Sequence, residues 1–231
     1  MKSEFYQDRL KAVGFVCDYR GRCPAPGKIL KVIEWKTCKT PKEILSLLEL
    51  CVYYRLWIND FSIVAKPMYQ LLKKILEFYW SEQFSAAIEA LQVSLTNTPA
   101  LLTIDYSTKA DDIMLAVGAS GGGWSAILQQ EKDGKTNSIR YKNDVWSALE
   151  GTYDSEKRES WALVRALKKL EVRLYSFKFV VEIDATTLLH QLNLPIVDLL
   201  GAMVTRWITW IRLFDFYVRH VLGCRHSGLD G

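Results

Sequence analysis

The 231-residue sequence predicts an α/β chain, α+β overall, in which a mostly helical region is followed by a mixed five-stranded sheet with flanking helices. Three observations predict it. Apolar residues recur at helical spacing through the first 96 residues, and the pattern turns two-fold from Asp112. Between them stands Asn97-Thr98-Pro99, where proline drives its predecessor out of the helical region. The length exceeds one domain of roughly 100 to 150 residues, so two domains are expected. With 49% hydrophobic and 24% charged residues, the chain can build a core, and composition excludes a disordered polypeptide.

Residues 11 to 19 read as a short hairpin ending at Arg20-Gly21, after which Cys23-Pro24-Ala25-Pro26-Gly27 breaks the chain and a helical region begins. Thr40-Pro41-Lys42-Glu43 is a helix start, with Thr40 as N-cap, proline in the first position and Glu43 closing a capping box. Ile44, Leu47, Leu48 and Cys51 follow at helical spacing. Further helices are predicted over 61–74, with Ser62 near the start, and over 81–95, where Phe84, Ile88, Leu91 and Leu95 share a face.

Beyond the boundary, Ile113, Leu115 and Val117 alternate on one strand, and Trp124, Ala126 and Leu128 on a second, joined by Gly121-Gly122-Gly123. A third strand is predicted over 138–141. A helix follows over 155–172, with Trp161, Val164, Leu167 and Leu170 on its buried side. A strand over 177–183, a short helix to about Leu192, a helix over 201–213 and a strand over 214–218 complete the order.

The net charge of +4 lies entirely in the first 96 residues, which hold 14 Lys/Arg against 10 Asp/Glu; the remainder holds 16 against 16. Such a bias permits phosphate contacts through counterion release, and is also common on solvated surfaces. Five cysteines, an odd number without a CxxC pair, point to a reduced intracellular protein. Asp198 and Arg206 interrupt the most apolar stretch, so no membrane span is predicted.

Gly118-Ala119-Ser120-Gly121-Gly122 formally matches the G-x-S-x-G elbow of serine hydrolases. An elbow needs a helix after the serine, whereas Trp124 to Gln130 alternates as a strand, so the glycines are assigned to a turn and a hydrolase using Ser120 stays a remote alternative. Glu159 falls in the first turn of a helix, Asp184 ends a strand and Asp230 follows the last strand. Carboxylates gathered at element ends suit hard cations such as Mg²⁺; the competing reading is a helix-dipole glutamate and two turn aspartates. His220, Cys224 and His226 lack a fourth zinc ligand and match no zinc spacing. The tryptophans, Trp207 and Trp210 included, are expected in the core, with base stacking left open for Trp57 and Tyr54.

Taken together, these residues resemble the pol polyproteins of gypsy-class LTR retrotransposons, most closely the fungal ones. Thr40-Pro41-Lys42-Glu43, Leu50 to Arg55, Ile58-Asn59-Asp60-Phe61 and Ala65-Lys66-Pro67 are similar to the family's reverse-transcriptase thumb. Residues 11 to 19 resemble the hairpin that closes the palm and grips the primer. The resemblance implies the end of the palm over 1–29, thumb and connection over 30–96, and an RNase H-like domain over 97–231 whose last helix is cut short. It implies nucleic-acid contacts by Lys28, Lys31, Lys39, Lys42 and Arg55. The adjacent aspartates of the polymerase site would lie upstream of residue 1, so DNA synthesis by this chain alone is excluded.

The family's RNase H activity is Mg²⁺- or Mn²⁺-dependent cleavage of RNA in RNA:DNA hybrids. Glu159, Asp184 and Asp230 match three of its metal-binding acids, and His220 its mobile histidine. The fourth acid is absent, because Val117-Gly118-Ala119-Ser120 stands where the family has V-D-A-S. Glu49 in place of a usual glycine is a second departure. Asp112 lies on the same strand face as Gly118 but six residues away, roughly 20 Å. Glu182 shares a face with Asp184 at about 6.6 Å and is the nearest substitute, yet must span the gap left by Gly118. The resemblance therefore implies a nuclease impaired or lost, or a noncatalytic nucleic-acid-binding remnant, with hybrid or duplex and the rest of the polyprotein as partners.

Overall fold

The computed structural model describes residues 8–19, 21–72, 79–97, 100–132, 134–199 and 201–221, and the chain divides into two compact units, 1–103 and 104–231. In the first unit, β1 (Arg9–Ala12), β2 (Phe15–Asp18) and β3 (Gly21–Pro24) form an antiparallel sheet. The expected hairpin is present, turning at Val13-Gly14, where both φ angles are positive (47° and 77°) as a two-residue hairpin turn requires. The hydroxyls of Tyr53 and Tyr54 donate to the carbonyls of Val13 and Gly14. The break expected at 23–27 is instead a third strand followed directly by α1 (Pro26–Ile33). Pro24 ends an edge strand and Pro26 stands in a first helical turn, positions where a missing N–H costs little.

Helix α2 (Pro41–Tyr54) begins where expected, with Thr40 Oγ1 accepting from Glu43 N at 3.3 Å. The return bond differs from a standard capping box: Glu43 Oε2 takes the N–H of Lys39, at 2.7 Å, rather than that of Thr40. The helix expected from Phe61 is split into α3 (Phe61–Val64) and α4 (Lys66–Leu71); Pro67 lacks an N–H and its ring would clash with the carbonyl four residues back, so one helix cannot run through. Residues 73 and 74 lie outside the described residues. Helix α5 (Glu82–Thr96) buries Ala87, Ile88, Leu91 and Leu95, while Phe84 stays half-buried. Its Gln92 amide reaches the carbonyls of Val32, Ile33 and Trp35 at 2.9–3.1 Å and so closes the C-terminal end of α1.

The second unit holds the five-stranded sheet, in the order β6-β5-β4-β7-β8. Strands β4 (Ile113–Ala119), β5 (Gly123–Lys132) and β6 (Lys135–Val145) form an antiparallel meander, and β7 (Phe179–Ile183) and β8 (Phe216–His220) run parallel to β4. Helix α6 (Ser155–Leu174) crosses from the meander to β7 and packs on β4 and β5; α7 (Thr186–Asn193) lies on β7 and β8, and α8 (Ala202–Ile211) on α6. Strand β4 is central, so Ile113 to Val117 are all buried although only alternate residues read as inward from the sequence. Gly123 allows β5 to approach β6, since a Cβ there would lie 2.4 Å from the Asp144 carbonyl oxygen.

Trp161, expected on the buried side of α6, is half-exposed, stacked on Trp207 at 4.8 Å with its indole N–H donating to Glu150. Trp207 and Trp210 are also half-exposed rather than core. Glu150 is buried and also meets Arg165 at 2.9 Å, whose other nitrogen reaches Asp144 at 3.0 Å. Burial pushes the Glu150 carboxyl up, but hydrogen bonds from Trp161 and Ser147 and the Arg165 charge outweigh it and hold the group below its ordinary value. Arg165→Ala should therefore cost roughly 1.5–3 kcal/mol, the range for a charged hydrogen bond left unmade, read by denaturant unfolding at pH 7. Because the folded value is depressed, the Glu150 contribution is present above the ordinary carboxylate range and is lost as pH falls through the folded value; the variant's deficit should shrink there.

Candidate functional site

The β4–β7 register pairs Ala116 with Glu182. The ladder ends at that pair, and Gly118 and Asp184 each follow it by two residues, on the sides of the sheet that Ala116 and Glu182 face. Asp184 follows the last residue of β7 and Gly118 precedes the last of β4, so both stand at the same end of the sheet. Helix α6 is capped by Asp154, whose carboxylate accepts from Lys157 N at 2.8 Å, and this start places Glu159 in the second turn rather than the expected first, toward that end. The Ala119 backbone N–H hydrogen-bonds the Glu159 carboxylate.

Burial, and then the charge of Asp184, push Glu159 up to about 7, against the opposing pull of Arg158 and of the Ala119 bond. Glu159, Asp184 and the Gly118-Ala119 backbone are thus brought together. Among the described residues, no group of three or more His, Cys, Asp or Glu is disposed to hold a metal. Asp230 lies outside the described residues, as do Cys224 and His226. His220 ends β8, and its Nε2 lies 2.9 Å from the Asp184 carbonyl oxygen.

Glu182 does not fill the gap. It stands beside Ala116 and is paired with Arg219 at 3.2 Å. Asp112 is exposed just before the opposite end of β4. Ser120 is followed by β5, and its hydroxyl accepts from the N–H groups of Gly122 and Gly123 at 3.2 and 3.3 Å, closing the turn rather than forming a nucleophile elbow.

In the first unit, Lys28, Lys31, Lys39, Lys42 and Arg55 are all exposed. Lys28 Nζ lies 5.6 Å from the Tyr53 ring centroid, near the end of α2 that carries Arg55. Lys42 is at the other end of that helix, thirteen residues or about 20 Å from Arg55. The five cations are therefore not one patch. Tyr54 and Trp57 are buried, which removes them as base-stacking platforms. Sequence reasoning passed over Arg158, whose only signal was adjacency to Glu159, and the Ala119 N–H, which no side-chain motif records.

Residues 108–214 match the model of an RNase H-like domain found in reverse transcriptase. Over 99% of its length the chain is 30% identical to Transposon Tf2-3 polyprotein of Schizosaccharomyces pombe, and to the same extent to Transposon Tf2-4 polyprotein of that yeast. It spans 17% of the length of these curated relatives. Its fold is similar to the foamy viral protease-reverse transcriptase in complex with dsDNA, with TM-score 0.72 and 19% identity over 94% of this chain and 45% of that one. The same viral protein in complex with RNA/DNA hybrid gives 0.70 and 20% over 92% and 29%. Among the described residues, no helix is long and apolar enough to cross a membrane.

Proposed function

We propose, for a chain that is a relative of gypsy-type LTR-retrotransposon polyproteins and carries an RNase H-like domain of the reverse-transcriptase kind, that its second unit binds RNA:DNA hybrid at an RNase H-type site whose cleavage is impaired or lost. The observation that carries this is a glycine at 118, at the end of the sheet where β7 leads into Asp184 and two residues beyond the Ala116–Glu182 pair. Glu159 and Asp184 keep the places of two acids, and the position that would face both offers no oxygen. Among the described residues the site has two carboxylates, Asp230 lying outside them, and two do not fit a two-ion centre, which needs a ligand held between the ions to fix their separation. No reaction step through Mg²⁺ or Mn²⁺ is therefore assigned to this chain as it stands. The viral protein of like fold is described in complex with dsDNA and with RNA/DNA hybrid, which supports a nucleic acid as the ligand here.

In the first unit, Lys28, Lys31 and Arg55 are the cations best placed for phosphate contact, with Lys39 and Lys42 offering a separate point. Binding of a labelled hybrid should be weak, indifferent to sequence and reduced by salt, because phosphate contacts carry no base information. A gel assay with Mg²⁺ or Mn²⁺ should show retained hybrid and little or no cut RNA. Rapid cleavage by the unaltered chain would overturn the impaired-site reading, and absence of any retained hybrid would overturn the binding reading.

A further inference from the structure

Helix α6 opens with two neighbouring cations, Lys157 and Arg158. Lys157 is matched by Asp154 at 2.6 Å. Among the described residues, the Arg158 guanidinium makes no hydrogen bond or ion pair, although the residue is half-buried and its backbone N–H donates to the Asp154 carbonyl at 3.0 Å. A cation near a helix start also faces the unfavourable end of the helix dipole. A Cβ built on Gly121 would stand 3.7 Å from Arg158 Nη1, so the guanidinium lies against the glycine turn at the end of β4. Its charge also reaches the Glu159 carboxylate.

The turn beneath it is open. A Cβ on Gly122 would meet only Ser120 Oγ, at 3.9 Å, and the Gly121 N–H has no partner among the described residues. A guanidinium with free donors beside an uncovered backbone N–H suits an anion with several acceptor oxygens, and a phosphodiester is the anion that a nucleic acid supplies. We infer that Arg158 is a positioning residue that holds a backbone phosphate of the bound nucleic acid against the turn at Gly121, beside Glu159 and Asp184. The inference rests on the hybrid-binding reading above.

The test is fluorescence anisotropy of a labelled RNA:DNA hybrid with the full chain in EDTA, over a salt series, for the unaltered protein, Arg158→Gln and Arg158→Lys. Arg158→Gln should weaken binding and flatten the plot of log affinity against log salt by about one phosphate's worth, roughly 0.7–0.9. Arg158→Lys should restore the slope, and melting by circular dichroism should match across all three. If Arg158→Gln keeps the original affinity and slope while the unaltered chain binds, the Arg158 assignment alone is overturned. Loss of affinity in step with a lowered melting temperature in both variants would assign Arg158 a structural role and also overturn it. Failure of the unaltered chain to bind hybrid at low salt would overturn the hybrid-binding reading itself.

Discussion

Gly118→Asp should create Mg²⁺-dependent cleavage of the RNA strand in an RNA:DNA hybrid, the largest change in activity expected of any single substitution in this chain. Position 118 lies two residues past the last β4–β7 pair, as Asp184 does on the neighbouring strand, so the new side chain should share the face of Asp184. Gly118 is absent from the glycines with positive φ, so its backbone accepts an L side chain, and glycine within a strand is generally unfavourable. Without metal, a third carboxylate beside Glu159 and Asp184 adds like-charge repulsion, and the variant should melt lower than the parent in EDTA. Mg²⁺ should reverse that loss, because an ion that binds only the folded state stabilises it by mass action. Loss of groups that merely support a metal ligand costs roughly 10- to 100-fold in affinity or activity, so restoring a direct ligand should gain at least as much. Gel analysis of labelled hybrid measures the gain; unchanged cleavage by a folded, hybrid-binding variant would contradict it.

The second large effect concerns stability. Glu159 is held at about 7, above the ordinary 4.5, first by burial and then by Asp184. A raised folded value means that the protonated form is favoured by folding. Its contribution is therefore fully present below about 4.5 and is lost as pH rises through about 7. Glu159→Gln, which keeps the shape without the charge, should be more stable than the parent at pH 8 by about 1–3 kcal/mol, after allowance for residual solvent screening. The advantage should vanish near pH 4. Asp184→Asn should lower the Glu159 value by the smaller part of the shift, since burial is the larger cause. Denaturant midpoints at the two pH values check both; an advantage for Glu159→Gln that is equal at pH 4 and pH 8 would contradict this assignment.

Much of the second unit was legible in the sequence because β4, β5 and α6 are strongly patterned: alternation located the first two strands, and the other three overlap the ranges expected for them. The first unit was less so. Proline reads as punctuation, yet Pro24 ends a strand and Pro26 starts α1, because both positions lack a hydrogen-bond partner to lose. Conversely, Pro67 was passed over inside an apolar run, where it divides α3 from α4. Trp161 obeyed the helical period but not full burial, since its indole N–H needs an acceptor and finds it in Glu150 while its ring stacks on the half-exposed Trp207. At the site, the acids Glu159 and Asp184 and the gap at Gly118 were visible as positions along elements. Arg158 against the glycine turn was not, because nothing in one dimension brings a helix residue to a strand turn.

The most direct measurement is a calorimetric titration of Mn²⁺ into the unaltered chain, Gly118→Asp, and Gly118→Asp combined with Asp184→Asn. If Glu159 and Asp184 form an RNase H-type site that lacks one ligand at position 118, Gly118→Asp should bind the ion at least about 10-fold more tightly than the unaltered chain, and Asp184→Asn should remove that gain. Equal affinity in the unaltered and Gly118→Asp chains, or a gain indifferent to Asp184, would contradict the account.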